Sequence, residues 1–409
     1  MVKVNPFAAI HPRADLAEQI AVLPYDVVDS KEAAAFAEGN PYSYFRIDRS
    51  EIELPELASP YDPKVYEKAA ANLQKFLAEG WFVEDGEPTY YLYELTMNGR
   101  SQTGIVATTS IQEYLDGKIK KHEFTRPEKE QDRMNHIRTC DADTSPIFLC
   151  YRQQQAIKKL VDQWKETHPV FCEFSHMYDV HHRVWQIKDE AVISALQEAF
   201  EHIPALYIAD GHHRTESAVK VGLEKRAAHT ATPESEQFLS ILFPDEELAI
   251  YEYNRVINVS VPSDFLAQLA PSFTVEKSTY QKPQQKGQFN LYFDNQWYRL
   301  TAKEAIQSDD PVAGLDVSLL QEHVIAPIFG ITDVRTDKRI DFVGGIRGAE
   351  ELVKRVDSGE WQIAVELYPT QMADLLSVAD ANQIMPPKST WFEPKLLSGL
   401  FVYDLKTKK

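Results

Sequence analysis

Cysteine is scarce in this sequence: its 409 residues contain three, Cys140, Cys150 and Cys172, and no two of them form a C-x-x-C pair. So few thiols exclude a disulfide framework, and the lack of paired cysteines argues against a structural zinc site. We expect reduced, partly buried thiols, with a nucleophilic cysteine as the minor alternative.

Positive charge and long apolar runs are also lacking. Lysine and arginine total 43 against 62 aspartate and glutamate residues, which gives a net charge of −19. An acidic chain repels nucleic acid and anionic lipid, so we expect neither as a partner. No run of about 18 apolar residues occurs, which predicts no membrane span, and the first residues lack the apolar core of a signal peptide. We therefore expect a cytoplasmic protein.

The length and the alternation of helix and strand patterns predict a mixed α+β fold of two domains. We divide the chain into residues 1–256, a ligand-binding α+β domain, and residues 257–409, a smaller α+β domain. The clearest local predictions are a helix capped by Asp29 or Ser30 and ended by Gly39, a strand over PYSYFRID (residues 41–48), and a hairpin that turns at Asn98-Gly99.

The strongest candidate for a site is the stretch ALYIADGHHRTESAVKVG, residues 205–222. LYIA predicts a strand and TESAVKVG a helix ended by Gly222, so the sequence DGHHR forms the turn between them. Gly211 permits a tight or left-handed turn. The free N–H groups and the dipole of the helix N-terminus then favour an anion.

The side chains of this turn suit a phosphate or a carboxylate. Arg214 offers a bidentate fork, and His212 and His213 donate hydrogen bonds or transfer protons near neutral pH. Asp210 is a candidate base, metal ligand or helix cap. A capped surface turn explains any one of these residues alone, whereas the five together favour a site. GxxxxGK[ST] and HExxH are both absent, which excludes a P-loop and a zincin.

A second charged segment, GKIKKHEFTRPEKEQDRMNHIR, covers residues 117–138. One interpretation is a solvated helix with salt bridges on its surface. The other is that His122, Glu123 and Arg126 face the same cavity as the histidine turn. Basic residues concentrated here, in so acidic a chain, suit a phosphorylated or carboxylated ligand.

A third segment, MPPKSTWFEPKLLSGL, covers residues 385–400 and starts with two prolines that fix an extended backbone. We expect the second domain to contribute this loop to the site. Its candidate donors are Lys388, Ser389, Thr390 and Lys395. An equally weighted alternative is that the segment only packs Trp391 and Phe392 against the core.

Several motifs together resemble a bacterial and archaeal family known as domain of unknown function 1015. They are NPFAAIHP, LPYDVVDS, NPYSYFRID, KKHEFTRPEKEQDR, YIADGHHR and MPPKSTWFEPK followed by SGL, and the match runs nearly end to end. The family name implies no activity.

The DGHHR turn alone is similar to the phosphate-binding turn of the ParB/sulfiredoxin-like superfamily, which includes partition proteins, sulfiredoxins and a free-serine kinase. This resemblance implies a ParB/sulfiredoxin-like fold for the N-terminal and middle part. It also implies that Gly211, His212, His213 and Arg214 contact phosphate, with Asp210 beside them.

The leading hypothesis is phosphoryl transfer or phosphomonoester hydrolysis on a small metabolite or nucleotide, with serine or phosphoserine as the best guess. Arg214 and the two histidines stabilise the phosphate, and Lys120, His122 and Arg126 add to them. Asp210, Glu123 and Asp26 are candidate bases. The candidate cofactors are Mg²⁺, held by Asp210 and Glu123, and ADP or ATP.

Two alternatives stay open. The first is a sensor that binds a nucleotide or phosphorylated metabolite without turnover. The second is a metal-dependent hydrolase built on His122, His212 and His213. DNA binding is the weakest hypothesis because of the charge. A homo-oligomer is compatible with the sequence. The sequence does not determine the metal, the oligomeric state, or whether the three segments converge on one site.

Overall fold

The chain has the mixed α+β fold that its sequence predicts. The computed structural model describes residues 1–57 and 59–406. Its strands are β1 Val4–Asn5, β2 Ile10–Pro12, β3 Phe82–Glu84, β4 Tyr90–Met97, β5 Arg100–Ser110, β6 Ile119–Lys120, β7 Ala142–Asp143, β8 Ile147–Tyr151, β9 Cys172–His176, β10 Val180–Ile187, β11 Leu206–Asp210, β12 Gln237–Pro244, β13 Ile250–Tyr251, β14 Tyr253–Ile257, β15 Phe273–Ser278, β16 Gln288–Phe293, β17 Gln296–Ala302, β18 Ile340–Gly344, β19 Ile363–Leu367, β20 Trp391–Phe392 and β21 Tyr403–Asp404.

The α-helices lie between these strands, singly or in runs. They are α1 Ala17–Ile20, α2 Ser30–Ala37, α3 Phe45–Asp48, α4 Pro63–Ala78, α5 Ile111–Leu115, α6 Pro127–Cys140, α7 Gln155–Thr167, α8 Glu190–Glu201, α9 His212–Ala227, α10 Phe265–Leu269, α11 Asp316–Leu320, α12 Ala326–Phe329, α13 Gly348–Asp357 and α14 Met372–Asp380. Among the described residues, no helix is both long and apolar enough to cross a bilayer.

The described chain forms two compact units that are discontinuous in sequence. The first unit comprises residues 1–120, 125–248 and 394–409, and the second comprises residues 121–124 and 249–393. These units differ from the division at 256/257 that we drew from the sequence. Hydrophobic periodicity reports local structure along the chain. It therefore does not reveal that the C-terminal segment returns to the first unit.

The first unit is built on a mixed sheet with the strand order β6-β11-β8-β12-β5-β4-β10-β9, and β1 pairs with β5. Strand β11 is parallel to β6 and antiparallel to β8. The strand ends at Asp210, and α9 begins at His212, so the DGHHR turn leads directly from the sheet into a 16-residue helix. The strand-turn-helix prediction is therefore confirmed.

The predicted end of this helix is wrong. Gly222 lies inside α9, which continues to Ala227. A Cβ atom at Gly222 would lie 2.6 Å from Ile111 Cδ1 and 2.8 Å from the backbone oxygen of Ser235. Gly222 therefore allows α9 to pack closely against Ile111 and Ser235. In the sequence it was wrongly interpreted as the residue that ends the helix.

The second half of the segment PYSYFRID, Phe45–Asp48, forms the helix α3, where the sequence predicts a strand over residues 41–48. Tyr44, Phe45, Ile47 and Asp48 are all buried, and a spacing of one, three and four residues places them on one face of a helix. The Tyr44 hydroxyl also donates to the Thr144 backbone oxygen at 2.6 Å. Burial on this helical face outweighs the strand preference of the aromatic residues.

Two other local predictions are confirmed in detail. Asp29 caps α2 and forms a reciprocal capping box with Glu32. Strands β4 and β5 form the predicted hairpin, with Asn98 and Gly99 both at positive φ.

The C-terminal segment completes the first unit. Val402 exchanges backbone hydrogen bonds with Ile10, and Ser398 does so with Val22. Tyr403 in β21 pairs with Asp143 in β7. Segments from both ends of the chain therefore lie side by side in this unit.

The second unit contains a sheet with the order β15-β17-β16-β19-β14-β18. All its strand pairs are antiparallel. Leu352 of α13 packs with Val256, Tyr292, Val343 and Ala364 from four of the strands. One apolar face of the sheet is therefore covered by this helix.

Candidate functional site

The DGHHR turn has the backbone geometry that its glycine suggests. Gly211 has φ 91° and ψ 30° and occupies the N-cap position of α9. Its N–H donates to Asp210 Oδ1 at 2.7 Å, and its carbonyl accepts from Thr215 N at 2.9 Å. Because an N-cap glycine has no side chain, the first N–H groups of the helix receive no cap from this residue.

Arg214 lies in the first turn of α9 and is only 8% exposed. Its Nη1 donates to the Pro146 backbone oxygen at 2.6 Å. Its Nε is buried and has no hydrogen-bond partner among the residues that the structure describes. Burial alone would lower the pKa of this guanidinium, but Asp26 and Asp210 raise it above the usual value. Arg214 is therefore a buried cation at a helix N-terminus.

Asp210 forms an ion pair with Lys395, with 3.2 Å between Oδ2 and Nζ. Burial alone would raise the pKa of Asp210, but the charges of Lys395 and Arg214 hold it well below the usual range. Asp210 is therefore ionised at neutral pH and is a weak base. This is a physical objection to the base role that we considered from the sequence.

His213 accepts a hydrogen bond at Nε2 from the backbone N–H of Arg126, at 2.9 Å. Burial, and then the positive charge of Arg126, lower the pKa of this imidazole. His212 is the first residue of α9 and is 6% exposed. His213 is half-buried, so it is more accessible to solvent than the neighbouring His212.

Asp26 is exposed and interacts electrostatically with both His213 and Arg214. The preceding Tyr25 is buried, and the guanidinium of Arg133 lies 4.0 Å from the centre of its ring. Arg133 also forms ion pairs with Asp132 and Asp48. A buried charge network therefore supports the backbone next to Asp26.

Sequence reasoning missed Tyr25 and Arg133 as parts of this arrangement. Arg133 lies in the segment 117–138, for which a solvated helix was one of our interpretations. In α6 the residues Glu130, Asp132, Arg133 and His136 are instead buried. The only signal in the sequence was the density of charge, which does not distinguish a solvated helix from a buried network.

A small cavity of about 20 Å³ borders Arg214 in the first unit. It has room for about one water molecule. The residues that line it are Tyr25, Arg133, His136, Ile137, Asp143, Thr144, Ser145, Ile147, Arg214 and Ala218. A substrate does not fit in this cavity, so a ligand of the turn must approach Arg214 from another side.

The structure thus places Asp26, Asp210, Gly211, His213 and Arg214 in one region of the first unit. Arg126 joins them through its backbone bond to His213. Lys120 also belongs to the first unit, where its Nζ lies 5.9 Å from the ring centre of Tyr207.

His212 and Lys395 also belong to the first unit, whereas the remaining predicted residues belong to the second. His122 is buried, its carbonyl accepts from Met385 N at 2.8 Å, and Glu123 is half-buried. Ser389 donates its hydroxyl to the Pro386 backbone oxygen at 2.5 Å, which gives it a structural role in the loop. The remaining two candidates in this loop are Lys388, which is exposed, and Thr390, which is half-buried.

Comparison with solved structures finds distant similarities. A conserved hypothetical protein from Pyrococcus furiosus is 13% identical, with a TM-score of 0.37 and coverage of 74% of this chain and 97% of its own. A free serine kinase in complex with AMP is 11% identical, with a TM-score of 0.39 and coverage of 74% and 91%. SbnI with a C-terminal truncation from Staphylococcus aureus is 12% identical, with a TM-score of 0.41 and coverage of 74% and 90%. These similarities assign no activity to the chain.

No curated protein matches the sequence significantly. The likeness of the DGHHR turn to ParB and sulfiredoxin proteins stays a prediction. A family model described as "Protein of unknown function (DUF1015)" matches residues 4–318, well over half of the chain. The resemblance that we found in the sequence motifs is therefore confirmed, and the chain belongs to the DUF1015 family.

Proposed function

We propose that the DGHHR turn binds a phosphoryl group and that the protein is a small-molecule phosphotransferase or phosphatase. The observation that carries this proposal is Arg214, a nine-tenths buried guanidinium whose Nε lacks a hydrogen-bond partner among the described residues. It lies in the first turn of a helix with a glycine N-cap. A buried cation and a helix N-terminus both attract an anion, and they do so at the same place.

In this proposal the side chains have distinct roles. Arg214 and the first N–H groups of α9 stabilise the negative charge that the phosphoryl group carries in the transition state. His213 is a neutral hydrogen-bond donor through Nδ1. Asp26 orients or deprotonates the attacking nucleophile, because its carboxylate is exposed and interacts with both His213 and Arg214.

Mg²⁺ and ADP or ATP remain candidate cofactors. Asp210 is a poor ligand for Mg²⁺, because its two oxygens accept from Gly211 N and from the Lys395 ammonium. A second cation at the same carboxylate would be repelled by Lys395. Asp26 is the better carboxylate for a metal ion within the first unit, with water and phosphate oxygens completing the shell.

Serine and O-phosphoserine are the first substrates to assay, a choice that comes from the resemblance of the DGHHR turn. Phosphate release and nucleotide conversion are followed by ³¹P NMR with Mg²⁺, with and without ADP. Arg214→Lys is the test variant, since lysine keeps the charge and loses the fork. Arg138→Lys is the control, because Arg138 forms an exposed pair with Glu224.

We expect turnover that is lost in Arg214→Lys and kept in Arg138→Lys. Dependence on ADP would identify a transferase, and independence a phosphatase. Equal activity of the two variants would contradict the proposal, because Arg214 would then have only a structural role.

A sensor without turnover is the second candidate, and the depressed pKa of Asp210 favours it by removing one possible base. The sensor would bind inorganic phosphate or a nucleotide through Arg214 but convert nothing. Asp26→Asn separates the two functions. In an enzyme this variant abolishes turnover. In a sensor there is no turnover to lose, so the variant can change only the affinity for phosphate.

A further inference from the structure

We infer that Lys395 is the second cation of the phosphate site and that Asp210 is its positioning residue. The inference rests on the proposed function and narrows its ligand to a doubly charged phosphoryl group, such as a phosphomonoester or the terminal phosphate of a nucleotide. Lys395 lies 185 positions from Asp210 in the sequence, and its Nζ lies 3.2 Å from Asp210 Oδ2.

The C-terminal segment fixes where Lys395 lies. Three residues further on, Ser398 donates its N–H to the Val22 backbone oxygen at 2.9 Å and accepts from Val22 N at 3.1 Å. Its hydroxyl also lies 3.0 Å from that of Ser145. The next residue, Gly399, has φ 90°, a conformation that side chains rarely adopt. The backbone around Lys395 is therefore attached to the first unit and brings its ammonium to the turn.

The contacts of Asp210 suit a positioning residue. Its Oδ1 accepts from the Gly211 backbone and its Oδ2 accepts from Lys395, so each carboxylate oxygen already has a donor. The Lys395 side chain is 14% exposed, which holds its charge close to the protein. One carboxylate thus connects the backbone of the turn to the ammonium of the C-terminal segment.

The donors around Asp210 define the ligand. Arg214, Lys395 and the first N–H groups of α9 are three separate sets of donors, and Asp210 and Asp26 offset part of their positive charge. A phosphomonoester, with a charge of about −1.5 to −2 at neutral pH, offers three terminal oxygens, one for each set. A carboxylate or a phosphodiester has two such oxygens and would leave one set of donors without a ligand atom. The arrangement therefore favours a phosphate dianion.

The test uses calorimetric titration at pH 8 with methyl phosphate, a dianion, and dimethyl phosphate, a monoanion. The variants are Lys395→Met, Lys395→Arg and, as the matched control, Lys406→Met in the same C-terminal segment, where the side chain is exposed. We expect Lys395→Met to bind methyl phosphate about 10- to 100-fold more weakly, the loss of one charged hydrogen bond. Lys395→Arg and Lys406→Met should keep most of the affinity.

A second measurement distinguishes a direct role from a structural one. Propylammonium replaces the atoms that Lys395→Ala removes, so its addition should restore part of the affinity of that variant for methyl phosphate. A third uses the wild-type chain and does not depend on the variants folding: methyl phosphate should protect Lys395, and not Lys406, from acetylation by acetic anhydride, as measured by mass spectrometry.

The outcomes separate the two proposals. If methyl phosphate binds through Arg214 but neither Lys395→Met nor the acetylation pattern responds, the role of Lys395 is wrong and the proposed function stands. Equal affinity of the wild type for the two phosphates would overturn the assignment of a dianion. If the wild type binds neither phosphate, the proposed function and this inference both fail.

Discussion

The backbone N–H of Arg126 donates a 2.9 Å hydrogen bond to Nε2 of His213. An amide nitrogen offers no lone pair in return, so Nε2 is the unprotonated ring nitrogen and the hydrogen of the neutral ring lies on Nδ1. This one bond decides the chemistry of the residue: a neutral imidazole donates through Nδ1, and its Nε2 binds a metal only after the bond to Arg126 is broken. His213 is therefore a poor metal ligand in this arrangement, and this objection applies to His213 alone among the three histidines of the metal-site hypothesis.

The first prediction concerns the protonation of His213. Its pKa should lie below the usual value of about 6.5, because burial and the Arg126 charge both disfavour the imidazolium. Neutral His213 therefore contributes stability above about pH 6.5, and this contribution is lost as the pH falls through the folded pKa. Titration of the ¹⁵N-histidine resonances, assigned by their loss in His213→Gln, measures both the pKa and the tautomer.

Two results would contradict this assignment. A His213 pKa above 6.5 would mean that a negative charge outweighs burial and Arg126. A hydrogen on Nε2 at neutral pH would mean that the Arg126 amide does not donate to this ring in solution.

The second prediction concerns Gly399, which precedes the last strand. A Cβ atom at this position would lie 2.7 Å from Cγ of Tyr44, and φ is 90°. Gly399→Ala should destabilise the protein twice, by about 1–2 kcal/mol for the left-handed backbone and by about 1–3 kcal/mol for the overpacking against Tyr44. The free energy of unfolding in urea measures the sum.

Gly39→Ala is the matched control for that experiment. Gly39 also has positive φ, at 71°, but an added Cβ would have no atom within 4 Å. The control should therefore show the backbone cost alone. Equal destabilisation by the two variants would mean that Tyr44 moves aside, and the attachment of the C-terminal segment would then be looser than the structure indicates.

The third prediction concerns Asp143, a carboxyl group that our mechanism does not use. Burial raises its pKa to about 7, although Leu239 N donates to its Oδ2 at 3.0 Å. A raised pKa means that the folded state binds the proton more tightly than the unfolded state. Stability should therefore fall as the pH rises from about 4 to about 7 and then stay constant with respect to this group.

Asp143→Asn tests this directly, because an amide oxygen still accepts from Leu239 N and carries no charge. The variant should exceed the wild type in stability by at least about 1 kcal/mol at pH 8, with little difference at pH 5. Glu79→Gln, at an exposed position, is the control and should show no such change between the two pH values. A wild type that is more stable than Asp143→Asn at pH 8 would show that the ionised carboxylate is favoured in the fold.

The sequence predicted the elements whose signals are local. The capping residue Asp29, the Asn98-Gly99 turn and the strand-turn-helix around Gly211 each depend on a few neighbouring residues, and each is present. The candidate anion site could be proposed for the same reason, since its backbone and its buried arginine come from five consecutive residues. Local chemistry of this kind needs no knowledge of the tertiary fold.

The rest depends on contacts that are distant in sequence. Lys395 was one donor among four in its segment, and only the return of the C-terminal chain to the first unit selects it. Arg133 was one charge in a charged segment, and only packing shows that it lies over Tyr25. The strand predicted for residues 41–48 failed because burial of one helical face decided the conformation.

The fourth prediction concerns the contact between Gly211 and Arg214. A Cβ atom at Gly211 would lie 3.3 Å from Nε and 3.4 Å from Cζ of Arg214, and φ is 91°. Gly211→Ala therefore has two expected effects. The left-handed backbone costs about 1–2 kcal/mol of stability, and the methyl group presses on the buried guanidinium that we propose as the phosphate ligand. Affinity for methyl phosphate should fall about tenfold or more.

Gly117→Ala separates these effects, because Gly117 has a similar φ of 74° with no atom within 4 Å of an added Cβ. Both variants should lose comparable stability in urea unfolding, whereas only Gly211→Ala should lose phosphate affinity in titrations at a temperature where both are folded. Since the strain is matched, a difference in affinity has to come from the displaced guanidinium. Equal affinity in the two variants would place the phosphate away from Arg214 and would remove the main support for a phosphoryl site at this turn.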